Sequence, residues 1–547
     1  MADALPDDPK LTKTRVLVFF SLATLSLMSA LDGTSISVAL PSVQIISHEL
    51  HGSAIETFWT GTSFLLASTV FQPNFAAFSN IFGRKVLIMT ALTFFLVGAL
   101  IACLAKDFTS LIIGRSFQGV GGGGINAMTE IIITDIIPLR LRGQYFGILS
   151  AMWAVGSVTG PILGGGFAQS VNWRWIFYIN FPFIGIGGIL VLLFLKLIRL
   201  PGSVLKKLSG VDFTGTVLFV GSISSFLIPL TWGGVLYSWS SWHTLVPLIV
   251  GIVGLIAFAV YEAKGTANPI IPVTVFQNRS IIISYVTDIL HGMILWCILY
   301  YLPLYYEAVK GYTPIISGVA LFPITFTTAP SSVVVGFLIT RFGSYRWAIW
   351  LGWATSTLGL GIMCLMDIDT SVPAWVFLNL VGGLGLGILF PALAFAVQAS
   401  VDSEHLAIAV ALFSFLKSLG QAIGVAIGGV VFQNQMLKNL QQYPALEPRA
   451  VEYSQDASGL VQVIRDMSDG QDKSDLKKAY ADSLRIVWAI CCGLCGLAML
   501  LSFGTESYDV DRALDTTQGL RTEKADDSDE TDQPKEIEER GKSTLIS

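Results

Sequence analysis

The chain has 547 residues, of which 53% are hydrophobic and only 13% charged, and a formal net charge of −5; its mean hydropathy is +0.66. That composition excludes a water-soluble globular domain, and basic residues spread singly between apolar runs argue against a nucleic-acid surface. Six scattered cysteines, each inside an apolar run, argue against a disulfide framework or a metal site and read as small packing residues.

In chain order, Lys10, Lys13 and Arg15 precede a first apolar run, 16–40, which is too long for a signal-peptide core and lacks a cleavage site. Further runs of membrane-spanning length lie at 56–78, 86–105, 109–134, 144–169, 175–197, 211–231, 243–262, 280–303, 315–339, 346–366, 373–399, 406–432 and 484–505, which predicts fourteen transmembrane helices. With the N-terminus in the cytoplasm, the short inner loops hold Arg84, Lys85, Arg140, Arg142, Lys196, Arg199, Lys206, Lys207, Lys264, Arg279, Arg341 and Arg346. The short outer loops hold only Lys106, Arg174 and Lys310. The bias predicts that both termini are cytoplasmic. The polar segment 433–482 then lies outside and carries a short surface helix. Residues 506–547 hold 13 acidic and 6 basic residues, so this tail carries −7 and the rest +2; it reads as a disordered cytoplasmic extension.

The fifth run holds Gly156-Ser-Val-Thr-Gly160-Pro161-Ile-Leu-Gly164-Gly165. Glycines four apart strip one helix face of side chains, so that a neighbouring backbone can approach, and Pro161 favours a bend. Gly420, Gly424, Gly428 and Gly429 repeat this pattern with a shift of 264. The stretch from Arg115 to Gly121 matches Asn379 to Gly385 with the same shift, and Gly83 is echoed by Gly343. The chain therefore reads as an N-tail (1–15), a six-helix half (16–200), a two-helix insertion (201–265), a second six-helix half (266–505) and the acidic tail. The glycine faces are expected to supply the smooth seams along which two halves move. Gly119 to Gly124 lies in an apolar helix without a preceding strand, and His48-Glu49-Leu-His51 lacks metalloprotease spacing, so neither marks a nucleotide or metal site.

Leu31-Asp32-Gly-Thr34-Ser-Ile-Ser-Val38-Ala39-Leu40-Pro41, Gly114-Arg115-Ser-Phe-Gln118-Gly119, the glycine stretch of the fifth run, and Tyr300-Tyr301-Leu302-Pro303-Leu304-Tyr305 resemble motifs of the major facilitator superfamily. The closer resemblance is to its fourteen-spanning drug:proton antiporters of fungi, and it covers nearly all of 16–505. It implies an all-α polytopic fold of two six-helix bundles plus a two-helix insertion. It also implies export of an amphipathic metabolite, toxin or drug by alternating access. No cofactor beyond the proton gradient is implied, and the partners are lipid, protons and a small molecule. The chain is expected to be a monomer, without nucleic acid, in the plasma membrane, or alternatively the vacuolar one. Proton-coupled import of, for example, an iron chelate, and a transporter-fold nutrient sensor, remain alternatives. One departure concerns the loop between helices 2 and 3, where the family carries an aspartate and this chain has Asn80. The resemblance then implies an inner latch of Asn80, Arg84, Asp135 and Arg142.

Ionisable residues inside a membrane are costly and so ask for a reason. Asp32 and Arg115 lie at similar depth and are expected to face each other. Asp32 either carries the coupled proton or caps an unwound turn, and Arg115 either tunes it or bonds carbonyls. Glu130, near the inner end of helix 4, is a proton relay or an interfacial residue. Asp288 and Lys417 form a neutralising pair, or Asp288 serves the substrate or the proton, and His291 on the same face either lines the substrate cavity or packs the core. Trp296 and Tyr300 either line a pocket for a flat apolar ligand or fill the core. The candidate cavity is completed by Gln118 and by Asn379, the uncharged counterpart of Arg115.

Overall fold

A computed structural model of the chain describes residues 13–37, 46, 49, 50, 54–198, 201–234, 237–266, 268–276, 278–455, 457–508 and 518–520. Fourteen long helices carry the fold: α1 (Lys13–Ser37), α2 (Ala54–Phe82), α3 (Arg84–Cys103), α4 (Phe108–Ile136), α5 (Leu139–Ser170), α6 (Asn180–Phe194), α7 (Phe213–Trp232), α8 (Trp242–Lys264), α9 (Arg279–Ala308), α10 (Phe322–Phe342), α11 (Arg346–Met363), α12 (Val372–Ala399), α13 (Leu406–Leu440) and α14 (Gln471–Ser502). No strand occurs among the described residues. Each predicted run is occupied by one of these helices. Among the described residues, eleven helical stretches, rather than fourteen, are long and apolar enough to cross a membrane, that of α6 starting at Trp175 and that of α10 at Ile315; α2, α4 and α11 are not among them. In α4 the reason is visible, because Arg115, Gln118, Glu130 and a run of glycines dilute its hydrophobicity.

Local chemistry sets the helix starts. Side-chain oxygens of Asp107, Asp212 and Asn278 accept the backbone N–H groups of Ser110, Gly215 and Ser280 at 2.8, 2.7 and 2.8 Å, satisfying donors that a helix start leaves orphaned. Gly343 closes α10 with φ 61°, and Gly83 turns the chain between α2 and α3 with φ 98°. Such angles are easy only without a Cβ.

The first six helices pack chiefly as α3 on α4, α2 on α4 and α1 on α5. The last six repeat these partnerships as α11 on α12, α10 on α12 and α9 on α13. The insertion α7–α8 packs on itself and leans on α2 and α13, with Trp59 edge-on to Trp232 and Phe219 edge-on to Phe415. Along α8, Val246, Ile249, Val253, Ile256 and Val260 stay exposed, as a lipid-facing helix requires. We call the end of the bundle where α1 begins and α14 stops the tail face, and the opposite end the loop face.

Two expectations are corrected. The polar segment 433–482 is largely helical, because α13 continues to Leu440 and α14 begins already at Gln471. Phe432, Met436 and Leu440 recur every four residues on one buried face, so a helix that has lost its overall apolarity still has a core to cover. Short helices at 447–466 cap the loop face, burying Leu446, Tyr453, Leu460 and Ile464. The second correction concerns the glycines. Methyl groups placed at Gly156 would lie 2.8 Å from Ala30 Cβ, and those at Gly160 and Gly164 would fall on Thr34 and Ser35, all on α1. Gly420 and Gly424 meet the Ile289 and Met293 carbonyls of α9, and Gly428 meets the Tyr301 ring. Gly165 faces open space. The glycine faces therefore close helix pairs inside each half instead of lining the boundary between halves. At that boundary α5 meets α10 through Gly143, Gly147 and Gly336, where a methyl group on Gly147 would lie 2.7 Å from the Ser332 carbonyl. α5 runs on as helix through Pro161.

Gly424→Leu should thus act as a core defect. It should force α9 and α13 apart and cost about 1–3 kcal/mol, read as a lower melting temperature of the purified protein. Gly165→Leu, at an open position, should leave the melting temperature unchanged.

Candidate functional site

A central cavity of about 1020 Å³, counted with its mouth, opens between the first and last six helices. The first half contributes Ser29 and Thr34 of α1, Ser68 and Gln72 of α2, and Thr129 and Glu130 of α4, with Phe64 of α2 and Phe146 and Trp153 of α5. The second half contributes the rings of Trp296 of α9, Phe390 of α12 and Phe413 of α13, with Ser414, Lys417, Ser418 and Gln421 of α13 beside them. Among the described residues, Glu130 and Lys417 are the charged side chains that line it. Apolar rings with a few convergent polar groups are the usual lining of a small-molecule cavity.

Glu130 reaches across the cavity, where its carboxylate accepts a hydrogen bond from Ser414 of α13. Lys417, one turn further along α13, lies 3.6 Å from Asp288 and over the rings of Phe413 and Phe390 at 4.1 and 4.9 Å. Asp288 is fully buried, and neither of its carboxylate oxygens has a hydrogen-bond partner. The expected Asp288–Lys417 pair is therefore present, with Lys417 at the cavity wall and Asp288 behind it.

Asp32 and Arg115 also meet as expected, both with no exposed surface and 2.6 Å apart. The carboxylate is further held by Gln118 at 3.1 Å and by Asn180 at 2.6 Å. Arg115 donates to the Thr60 carbonyl at 3.2 Å and stacks over Phe64 at 4.5 Å. Neither Asp32, Arg115 nor Gln118 lines the cavity, so Gln118 serves the ion pair rather than the pocket. Asn180, at the start of α6, is a partner that sequence reading missed; its only sign was one amide in an otherwise apolar run.

Three other candidates lie off the cavity. His291 is buried, its Nε2 is 3.2 Å from the Leu386 carbonyl, and its ring stands edge-on to Phe390. Tyr300 stands edge-on to Tyr301. Asn379 is buried and donates to the Tyr306 hydroxyl. All three pack the second half. Of the aromatic pair, Trp296 alone reaches the cavity, because Tyr300 is one turn nearer the loop face.

At the tail face the latch residues converge. Arg84 Nε donates to Asp135 at 2.8 Å, and its Nη1 donates to Ser79 Oγ at 2.5 Å and Asn80 Oδ1 at 2.6 Å. Asn80 thus takes the place of an anion with a neutral acceptor. Arg142 donates to the carbonyls of Ile137 and Thr134 at 2.8 and 2.7 Å, and reaches Gln398 of α12 at 3.5 Å. It bridges to the other half at a point the sequence had not marked. At the loop face Glu49 accepts from Trp173 Nε1 and Arg174, each at 2.7 Å. The Arg174 hydrogen bond holds its carboxyl below the usual range, against a smaller opposing effect of burial.

A family model of the Major Facilitator Superfamily matches residues 22–425. Among curated proteins the chain is 53% identical to an MFS transporter, L2, of Phoma sp., over 92% of this chain and 84% of that one. It is 36% identical to the MFS-type efflux pump LUC4 of Fusarium sp., over 94% and 92%, and 35% identical to the MFS-type efflux pump MMF1 of Mycosarcoma maydis, over 89% and 78%. The crystal structure of the human organic anion transporter MFSD10 shares the fold, with a TM-score of 0.59 at 13% identity, covering 89% of this chain and 99% of that one.

Two measurements check this geometry. Asp32→Asn leaves a buried guanidinium uncompensated and should cost about 3–5 kcal/mol; adding Arg115→Gln should recover part of the lost melting temperature. Because Glu49 is depressed in the folded state, its contribution is present above the unfolded carboxyl range, near 4, and is lost as pH falls through the folded value. Acid titration should therefore change the fluorescence of Trp173 only below that range, and Glu49→Gln should remove the transition.

Proposed function

The chain belongs to the major facilitator superfamily, and we propose that it is a proton-coupled efflux pump for an amphipathic small molecule, working by alternating access. The observation that carries the reading is a cavity between two sets of six helices in which a carboxylate of the first set, Glu130, is held by the second through Ser414. A group that bridges the moving parts feels their separation directly. When the halves part, Glu130 loses its partner and its affinity for a proton changes, which is the linkage an antiporter needs. The relatives whose names say efflux pump support the direction of transport.

Asp32 enters the proposal differently. Arg115, Gln118 and Asn180 all donate to its carboxylate, so its first role is to hold α1, α4 and α6 together. Lys417 and Asp288 keep the cavity close to neutral. We take the latch at Arg84 and the bridge from Arg142 to Gln398 as the closure at the tail face. The division at 16–200, 201–265 and 266–505, fourteen crossings, and a plasma-membrane location with both termini in the cytoplasm belong to the same proposal. Repeated helix partnerships and the basic inner loops support them.

The test uses purified protein in proteoliposomes with an imposed pH gradient and extracts of fungal metabolites as substrate. Glu130→Gln should abolish gradient-driven efflux while leaving substrate-induced quenching of Trp296 intact. Driven efflux at the wild-type rate in that variant would remove Glu130 from the coupling.

A further inference from the structure

Between α6 and α7, at the tail face, the chain forms a short helix, Val204–Leu208, that crosses nothing. Ser203 starts it, its Oγ accepting the Lys206 N–H at 3.4 Å. Leu205 is 82% exposed and Leu208 44%, each beside a lysine in the chain. The neighbouring spans present the same chemistry. Ile189 and Leu193 near the end of α6, and Phe213 and Val217 at the start of α7, are exposed apolar side chains on stretches long and apolar enough to cross a membrane. Those faces lie against lipid, so the helix that joins them sits where lipid meets water.

The exposed charge at this place has one sign. Lys196, Lys206 and Lys264 are all exposed. The acids between 196 and 272 are Asp212 and Glu262, and both turn inward. Asp212 accepts the Gly215 N–H at 2.7 Å and the Tyr261 hydroxyl at 3.0 Å. Glu262 is 6% exposed and accepts the Ile271 N–H at 3.0 Å. The Tyr261 bond, with one from Asn268 to the Gly210 carbonyl at 3.4 Å, brings the end of α8 and its Lys264 next to the segment that carries Lys206.

The C-terminal tail was expected to hang free, yet Gln518–Leu520 is seated nearby. Leu520 pairs antiparallel with Leu197, and Gln518 Oε1 accepts the Arg84 N–H at 3.1 Å, capping α3. Lys196, Leu205 and Lys206 stay exposed beside it.

We propose that Lys196, the helix Val204–Leu208 and Lys264 form a binding surface for anionic lipid headgroups of the leaflet at the tail face. Leu205 and Leu208 enter the acyl boundary, and the ammonium groups reach the headgroup phosphates and carboxylates. Apolar insertion and basic charge are each weak alone and hold a segment to a membrane when combined. A neutral headgroup supplies only the first of the two. The proposal requires that the chain spans a bilayer and depends on neither the substrate nor the driving force.

The probe is a nitrobenzoxadiazole dye on Leu205→Cys, in full-length protein reconstituted into nanodiscs of phosphatidylcholine with increasing phosphatidylserine. The chain without Leu205→Cys gives the background. Dithionite, which bleaches the dye only where water reaches it, should act more slowly as phosphatidylserine is added. Lys206→Gln and Lys264→Gln should each raise the phosphatidylserine fraction needed for half the effect about fivefold, the weight of one lysine near an anionic leaflet. Truncation after Leu520 should leave the titration in place. Bleaching indifferent to phosphatidylserine in the full-length chain, or a titration that neither lysine variant shifts, would overturn the proposal. So would slow bleaching in phosphatidylcholine alone that truncation after Leu520 speeds, because the chain's own acidic residues would then be the cover. No substrate or pH gradient enters the measurement, so its result stands apart from that of the efflux assay.

Discussion

Charge buried in an apolar bundle must be answered by another side chain, and that requirement shapes this structure more than any other. Water cannot compensate it at this depth, and an unpaired ion there costs several kcal/mol. Arg115 is met by Asp32, Thr60 and Phe64, and Arg84 by Asp135, Ser79 and Asn80. Each set joins helices that are distant in sequence. Asp32 brings α1, α4 and α6 to one point, and Arg84 ties the turn after α2 to the end of α4. Charge pairing therefore fixes which helices are neighbours, as well as being tolerated by them.

Glycine makes those neighbours close. Without Cβ atoms at Gly156, Gly160 and Gly164, α1 lies directly on α5; without them at Gly420 and Gly424, α9 lies on α13. With lipid as apolar as the side chains, such contacts gain from packing and dispersion rather than from any hydrophobic drive. The contact between the halves is set by other residues, Gly143, Gly147 and Gly336 on α5 and α10, where two backbones meet with little between them.

The halves repeat in helix partnership but not in chemistry. Arg115 of the first corresponds to Asn379 of the second, which holds Tyr306 instead of a carboxylate. The first half lines the cavity with the hydroxyls of α1 and α2 and with Glu130 of α4, whereas the second adds Trp296 and Phe390 and, on α13, Phe413 beside Ser414, Lys417 and Gln421. Charge crosses the boundary at Glu130 and Ser414, and at Arg142 and Gln398.

Periodic apolarity was enough to place the helices, because it is a local property of spacing, and similar depth together with the helix arrangement that the family resemblance implied was enough to pair Asp32 with Arg115. The family was legible for the same reason. The helices that run on past the apolar segments escaped it, since a helix keeps its buried face after its average polarity has changed, as Phe432, Met436 and Leu440 show. Contacts that join distant residues escaped it as well: Asn180 on Asp32, Glu130 on Ser414, the glycine faces turned inward, and Gln518 on Arg84. The amino-acid sequence determined which residues cannot stand alone in a membrane, whereas the choice of partner for each was made only by the tertiary structure, because a hydrogen bond or an ion pair depends on distance in space and not on position in the chain.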